Sequence, residues 1–365
     1  MTRGLLNQSP IGQGIKTRTR DGRETKTALS KNAAPAPVFI VGCPRSGTTL
    51  LYHILLSSGN FAVYLAETNV FNKLAPAFRS LKSLTNRRRM MEAWLKSDYF
   101  KRSGLHAEAI RSRILSDCRN PGDFLRIFME SVARKQGMRR WAEKTPLHIL
   151  SIPQIKKTIP DALIIHIIRD GRDVAVSLNH LGWASPFAWD RKHSLTVAGL
   201  YWEWLVRKGR KYGRRLGPDY MEVRFEDLLQ QPQEVLTRLG AFIGDDLNYK
   251  HIRHNAVGTV VRPNSAFKRA TDHPPFNPIG RWRDLGDSAQ RLDRALAPLL
   301  RELGYQTGAS ESADILTYRL RPFYNLWQEL RQRVRQTPLS TLLVHKEIIF
   351  RPGELDRQDL RWEAI

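Results

Sequence analysis

A short apolar segment that runs into a glycine-bearing turn constrains this chain more than any other feature. Val38–Val41 is wholly apolar, as strands buried on both faces of a parallel sheet are. The turn 42–47 follows, and a helical spacing of apolar residues begins at Thr48. A strand, a tight turn and a helix in this order present backbone N–H groups to an anion at the helix N-terminus. The sequence therefore predicts an anion-binding loop in an α/β fold.

The composition of this loop suggests which anion it binds. Gly42 and a second glycine five residues later permit close approach of the backbone, and a nucleoside triphosphatase loop would carry lysine where Thr48 stands. Arginine can instead direct two N–H groups onto two anionic oxygens, and hydroxyl groups add further donors. The candidate anion-binding residues are Arg45, Ser46, Gly47, Thr48 and Thr49.

Further strands and helices alternate along the chain, which predicts a parallel sheet with right-handed crossovers. The region 67–136 is expected to be mostly helical, and 255–283 irregular because of its prolines. The predicted strands are Phe61–Leu65, Arg140–Glu143, Ala162–Ile168 and Tyr220–Phe225. The predicted later helices begin near Thr145, Val174, Trp189, Pro232 and residue 287, and a last one spans about 312–336.

The clearest strand, Ala162–Ile168, ends in an arginine rather than in the aspartate that holds magnesium in many nucleotide-hydrolysing enzymes. Arg169 at this strand end suits a second anionic group better than a cation. Asp170 and Asp173 lie close enough to leave a magnesium site open. A kinase or nucleotide hydrolase is therefore a possible alternative function at this point.

Two motifs together resemble a known family. Val-Gly-x-Pro-Arg-Ser-Gly-Thr-Thr-Leu is similar to the 5′-phosphosulfate loop of sulfotransferases that use 3′-phosphoadenylyl sulfate (PAPS). Ile-Ile-Arg-Asp-Gly-Arg-Asp-Val-Ala-Val-Ser resembles their 3′-phosphate motif, and the order and spacing match over residues 38–305. The pattern is most similar to the branch with carbohydrate and protein-tyrosine sulfotransferases. The resemblance implies an α/β fold of the P-loop NTPase-like, three-layer kind with a central parallel sheet.

The resemblance also implies which residues bind PAPS. The loop residues 45–49 would bind the 5′-phosphosulfate, and Arg169 with Ser177 would hold the 3′-phosphate. Ser265 and Arg281, in the irregular late segment, are further candidate contacts to the nucleotide. Phe225 stands where some relatives carry tyrosine, so one hydroxyl contact to the nucleotide is expected to be missing.

The catalytic residues implied by the same resemblance are Glu67, Lys144 and Arg45. Glu67 would take the proton from the acceptor hydroxyl, and the two cations would neutralise charge on the leaving phosphate without a metal. His148 is a rival base, but it is expected to be an ordinary histidine on a helix surface. Glu143 alternates away from Lys144 on a strand and is not expected to act in catalysis.

Charge and composition suggest the location and the partners. The net charge is +24 and the pI about 10.4, a positive field that attracts ligands with several phosphates, or an anionic membrane surface. No nucleic-acid-binding motif is found, so the partners expected are PAPS and an acceptor such as a glycan, lipid or protein tyrosine. A catalytically inactive polyanion-binding protein is a further alternative. Two cysteines, no long apolar run and no signal-peptide pattern favour the cytoplasm, with peripheral membrane contact possible.

Three regions are expected: a flexible basic tail at 1–37, a sulfotransferase domain at 38–305, and a basic amphipathic helical extension at 306–365. In the extension, Leu326, Trp327 and Leu330 fall on one side of a helix. Two roles are open for this side, contact with an anionic membrane or packing on the domain or on a second copy in a homodimer. Packing is the favoured one.

Overall fold

Four parallel strands form the sheet that positions the predicted site. The computed structural model describes residues 35–78, 80–181, 194–257, 277–308 and 315–335. The strands are β1 (Val38–Gly42), β2 (Ala142–Lys144), β3 (Leu163–Ile168) and β4 (Tyr220–Arg224). Their order across the sheet is β2-β1-β3-β4, and all three neighbouring pairs are parallel. The carboxyl ends of β1, β2 and β3 therefore meet at one edge of the sheet.

Helices account for most of the remaining described residues. A π-helical turn spans Val70–Leu74, and 3₁₀ helices span Pro146–Ser151, Gly217–Asp219 and Arg281–Leu285. The α-helices are α1 (Thr48–Ser57), α2 (Ala75–Ala77), α3 (Leu84–Leu95), α4 (Asp98–Ser103), α5 (Glu108–Asp117), α6 (Pro121–Lys135), α7 (Ile152–Thr158), α8 (Gly171–His180), α9 (Ser194–Gly213), α10 (Phe225–Gln230), α11 (Pro232–Ile243), α12 (Tyr249–His254), α13 (Asp287–Glu302) and α14 (Ile315–Arg335).

The sheet is buried on both faces, which makes the domain three layers thick. Phe39 and Val41 of β1 face one apolar core, which is built with α6, α7, α8, α9 and α13. Val38 and Ile40 face a second core, which is built with α1, α10 and α11. This alternation explains why β1 is apolar at successive positions, and it confirms the predicted three-layer fold.

The prediction of a strand at Phe61–Leu65 is wrong. The segment alternates between buried and exposed side chains as a strand would, but it forms no ladder with a neighbouring strand. Its backbone bonds elsewhere: the Ala62 N–H donates to the Arg140 carbonyl at 2.9 Å, and both polar groups of Val63 bond to the Gln136 amide at 2.8 Å. A backbone carbonyl outside any strand and a side-chain amide satisfy the backbone here. The alternating pattern alone cannot distinguish such a segment from a strand.

The other predicted elements are confirmed with small shifts of their ends, except that the predicted helix start at Trp189 and most of the irregular segment 255–283 lie outside the described residues. The Pro232–Ile243 helix has the predicted bounds, and the helix near residue 287 spans Asp287–Glu302. The helix predicted to begin near Thr145 is a 3₁₀ helix, and the Thr145 side chain does not cap its first turn. Ser265, residues 1–34 and the end of the chain from 336 lie outside the described residues, so the three predicted regions stay predictions.

Helix α14 packs on α9. Tyr324 lies in a small apolar cluster with Val197 and Leu200. Three polar contacts fix the rotation of α14 about its axis: Trp204 Nε1 to Glu329 (3.0 Å), Lys208 Nζ to Glu329 (2.6 Å) and Arg321 Nε to Glu203 (3.1 Å). Helix α14 therefore packs on the domain through the face that carries Tyr324. The side predicted to pack, with Leu326, Trp327 and Leu330, is instead 38% to 58% exposed, and its role stays a prediction. No helix in the described ranges is both long and apolar enough to cross a membrane.

Candidate active site

The loop between β1 and α1 has the geometry of an anion cradle. Arg45 and Gly47 both lie in the left-handed region, with φ of 76° and 94°. Helix α1 begins after Gly47 with no side-chain cap and no acidic residue in its first turn. Ser46 is fully buried, and within the described residues its Oγ has no hydrogen-bond partner. An anion at this point would meet the positive end of α1 and an available hydroxyl group.

Both glycines of the loop are required by close contacts. A Cβ at Gly42 would lie 2.6 Å from the Ile167 carbonyl oxygen of β3. A Cβ at Gly47 would lie 2.3 Å from the Phe225 ring, in addition to the strain of its positive φ. The loop is thus held against β3 and α10, and no other residue fits at these positions without displacing them.

The two predicted phosphate motifs contact each other directly. Arg45 Nε donates to Ser177 Oγ at 2.8 Å, so the first loop bonds to helix α8. Arg169, at the end of β3, donates from one guanidinium nitrogen to the Arg45 carbonyl at 3.0 Å and from the other to the Pro278 carbonyl. Three residues proposed from separate motifs therefore form one cluster.

This cluster concentrates positive charge. The pKa of Arg45 is lowered to about 10, first by burial and then by the charges of Arg169 and Arg281. The pKa of Arg169 is also lowered, chiefly by burial, although Asp173 and Glu226 act in the opposite direction. Burial and mutual repulsion both disfavour the cations, and a bound anion would relieve both. Arg281, which is exposed, is thereby placed close to the other two.

Asp170 and Asp173, which the sequence allowed as magnesium ligands, both accept hydrogen bonds from protein donors. Asp170 accepts from Arg172 Nε at 2.9 Å and from Arg172 Nη2 at 2.6 Å. Asp173 accepts the backbone N–H groups of Gly280 (2.8 Å) and Trp282 (3.1 Å). The Arg172 guanidinium stacks on the Trp282 ring at 3.9 Å, so Trp282 is a half-buried packing residue. In the described part of the chain, no group of three or more His, Cys, Asp or Glu could hold a metal ion.

Phe225 has a role that the sequence did not reveal. Its ring lies beneath the Arg169 guanidinium, 4.8 Å from the centroid to Cζ, and against Gly47. The phenylalanine that replaces a tyrosine of some relatives therefore supports both anion-binding motifs. The sequence carries no signal for this contact, because Phe225 is distant from both motifs along the chain.

Glu67 and Lys144 form an ion pair beside the loop, with Lys144 Nζ 2.9 Å from Glu67 Oε1. Lys144 ends β2 and pairs in register with Ile40, two residues before Gly42, so it lies at the same sheet edge as the loop. Its side chain is only 10% exposed, against 36% for Glu67. The structure thus brings together the two residues predicted as base and cation.

The expectation that His148 lies on a helix surface is wrong. His148 is fully buried, and its Nδ1 is 2.9 Å from Glu143 Oε2. Its Nε2 accepts the Phe71 backbone N–H at 3.3 Å, so Nδ1 carries the proton and donates to the carboxylate. With both ring nitrogens bonded inside the core, His148 is not available as a rival base.

A further histidine at the site was missed by sequence reasoning. His53 lies one helical turn after Thr49 on α1, on the same face. Its pKa is lowered to about 4, by burial and by the charge of Lys144, so it is neutral at pH 7. The spacing of four residues from Thr49 is the signal that could have found it.

The fold and this site define a P-loop-like α/β protein whose loop has the geometry of an anion-binding site. The chain belongs to the sulfotransferase family, because the model named "Sulfotransferase family" matches residues 37–248. The family resemblance found from the two motifs is thereby confirmed, and the protein is a sulfotransferase enzyme.

Several relatives are similar over most of the chain. A Caenorhabditis briggsae protein named "Putative protein-tyrosine sulfotransferase" is 26% identical over 79% of this chain and 97% of its own length. The nodulation protein NoeE of Sinorhizobium fredii is 23% identical over 83% of this chain and 76% of its own. The sulfotransferase domain of the Synechococcus PCC 7002 olefin synthase is 17% identical, with 81% of this chain and 96% of that domain covered at a TM-score of 0.43.

Proposed function

We propose that this sulfotransferase transfers a sulfonate group from PAPS to an acceptor hydroxyl. The observation that carries the proposal is the junction of Arg45, Ser177 and Arg169. A donor with phosphates at its 5′ and 3′ positions needs two anion sites held at a defined separation. The direct bonds between the two motifs supply this separation, and ATP, without a 3′-phosphate, would leave the second site unused.

Two buried polar atoms support the fit of such a donor. Within the described residues, Ser46 Oγ at the first motif and Arg169 Nε at the second have no hydrogen-bond partner. Leaving buried donors unpaired is costly, and a phosphate oxygen at either point would satisfy them. We assign residues 45–49 to the 5′-phosphosulfate, and Arg169 with Ser177 to the 3′-phosphate. Arg281 is assigned as a further contact to the phosphate groups of the nucleotide. Ser265 remains a predicted contact.

The proposed step requires one base and fixed positive charge. The acceptor oxygen bonds to sulfur, the bond from sulfur to the phosphate oxygen breaks with its electron pair on the leaving nucleotide, and Glu67 takes the acceptor proton. Lys144, whose Nζ is 2.9 Å from Glu67 Oε1, would stabilise charge on the leaving oxygen. Arg45 adds a second cation from the loop itself.

The acceptor that we propose is the phenolic hydroxyl of a tyrosine in a protein or peptide. Support comes from the names of the relatives, since the one similar over 97% of its own length is named "Putative protein-tyrosine sulfotransferase". A kinase or nucleotide hydrolase is disfavoured, because Thr48 replaces the loop lysine and Asp170 is engaged by Arg172.

Incubation with sulfur-labelled PAPS and a panel of tyrosine peptides, glycans and lipids tests this function. We expect label on tyrosine peptides and a rate that a chelator of divalent cations does not change, because Arg45, Arg169 and Lys144 replace a metal. Mass spectrometry would identify the modified oxygen. Magnesium-dependent phosphate transfer from ATP, or PAP binding with no transfer to any acceptor, would contradict the proposal.

The outward face of α14 supports a further proposal, contact with an anionic bilayer. The exposed apolar residues on this face are Phe323, Leu326, Trp327, Leu330 and Val334, each between 38% and 58% exposed. They follow a helical spacing, and exposed Arg331 and Arg333 lie close by. The polar contacts to α9 direct this face away from the domain. An apolar face flanked by arginines matches an anionic membrane in both polarity and charge.

Vesicle sedimentation tests the membrane proposal. The full chain should sediment with phosphatidylserine vesicles, and less with phosphatidylcholine alone. The double substitution Leu326→Glu and Leu330→Glu should weaken binding by at least about tenfold, since two buried leucines contribute about 3 kcal/mol or more. Leu84→Glu is the matched control, because Leu84 is 47% exposed on α3. The outcome against the proposal is a wild-type chain that does not bind vesicles but is a dimer in light scattering, and a double variant that is a monomer. This result would show that a second copy covers this face instead.

A further inference from the structure

A buried carboxylate connects the segment that carries Glu67 to the strand that carries Lys144. Glu143 Oε1 accepts from the Thr68 hydroxyl at 2.7 Å and from the Thr145 hydroxyl at 2.5 Å. Its second oxygen, Oε2, is 2.9 Å from His148 Nδ1. Glu143 and His148 are at most 1% exposed. One carboxylate thus joins both segments through neutral donors.

Further bonds run between the same two segments. The Asn69 N–H donates to Thr145 Oγ1 at 3.3 Å, and the Phe71 N–H donates to His148 Nε2 at 3.3 Å. Asn69 has a positive φ of 51°, a strained conformation that surrounding contacts must maintain. The chain at 67–71 is not part of any sheet ladder, so these side-chain bonds replace a ladder in holding it.

The charge state of Glu143 suits this role. Burial, the largest influence, raises the pKa of Glu143, but the contact with His148 and the hydrogen bonds from the Thr145 and Thr68 hydroxyl groups together outweigh it, and the net shift is downward. A carboxylate whose folded pKa is depressed contributes stability above its unfolded pKa and loses it as the pH falls. At neutral pH Glu143 is therefore an anion surrounded by donors.

We propose that Glu143 is a positioning residue that sets the geometry of the Glu67–Lys144 pair for sulfonate transfer. Thr68 follows Glu67 directly, and Lys144 lies between Glu143 and Thr145, so the two threonine bonds to Glu143 each act one residue away from Glu67 or Lys144. The inference rests on the proposed function. A base misplaced by about 1 Å can lose about a hundredfold in rate, so fixing these neighbours affects turnover.

Glu143→Gln tests the proposal. The substitution keeps the shape of the side chain, but its amide N–H₂ group would face Thr68, Thr145 or His148, which already donate to this position. We expect kcat to fall about ten- to a hundredfold, with KM for PAPS and affinity for PAP within about twofold of wild type. In a Glu67→Gln background the same substitution should cost several-fold less than in the wild type, because the effect of Glu143 on the position of Glu67 no longer matters. Additive losses in the double variant, or an unchanged kcat, would overturn the proposal.

A matched control lies at the opposite edge of the sheet. Tyr220 on β4 donates to Glu222 at 3.0 Å and lies 2.6 Å from buried His166 Nδ1. Tyr220→Phe should lower the melting temperature and leave kcat unchanged. A fall in kcat for Tyr220→Phe as large as that for Glu143→Gln would mean that the loss follows destabilisation alone, and would also overturn the proposal.

Hydrogen exchange tests the positioning without any activity. In Glu143→Gln the amides of Thr68, Asn69 and Phe71 should exchange faster, and in Tyr220→Phe they should not. Unchanged exchange at these amides would refute the proposal even if the enzyme is active. If wild type transfers no sulfonate, the proposed function fails while this measurement still decides the role of Glu143. Thr68→Val, which removes one donor, gives the same comparison if Glu143→Gln does not fold.

Discussion

Arg45→Ala should lower kcat/KM for PAPS by about a thousandfold, the range found when one positioned donor to a developing charge is removed. Arg45 bonds to Ser177, supports Arg169 through its carbonyl, and shares a cation cluster with Arg169 and Arg281. Removal of its side chain leaves the backbone contact in place but deletes the charge and the connection to α8. Steady-state kinetics with PAPS and calorimetric titration with PAP would measure the loss.

Arg45→Lys is the matched variant for this prediction. It retains the charge but cannot bond to Ser177 and to two anionic oxygens at once, so an intermediate loss is expected. Both substitutions keep a Cβ at the strained position, where φ is 76°, so backbone strain is equal in the two variants. A loss of less than about tenfold for Arg45→Ala would exclude Arg45 from the donor site.

Glu67→Gln should lower kcat by about a hundred- to ten-thousandfold, the usual contribution of a general base, with little change in PAP affinity. The amide keeps the size of the side chain but cannot accept the acceptor proton, and it loses the ion pair with Lys144. Single-turnover transfer from PAPS measures the chemical step directly. Calorimetry with PAP shows whether the donor site remains intact.

The control for Glu67→Gln is Glu92→Gln. Glu92 forms an ion pair with Arg111 at 2.7 Å, and both side chains are 43% exposed, comparable to Glu67. Loss of an exposed ion pair contributes little, so this variant should retain wild-type kcat. Wild-type turnover in Glu67→Gln would contradict the role of Glu67 as the base.

Much of the fold and part of the site follow from local sequence patterns. The glycine loop after Val38–Gly42, the strand Leu163–Ile168 and the helix Pro232–Ile243 lie where the sequence predicts them. These elements combine strong periodicity with glycine, proline or a buried apolar run. Phe61–Leu65 fails because an alternating pattern records burial, whereas a strand also needs a neighbour with free backbone groups.

The sequence by itself determined the anion-binding loop, the second arginine motif and the family, because their residues are contiguous and their local geometry is set by nearby glycines and helix starts. Only the tertiary structure decided that Arg45 meets Ser177, that Phe225 supports Arg169, and that His148 is buried against Glu143. The physical reason is the parallel sheet. Strands distant along the chain end at the same edge, and the side chains that meet there depend on register and packing.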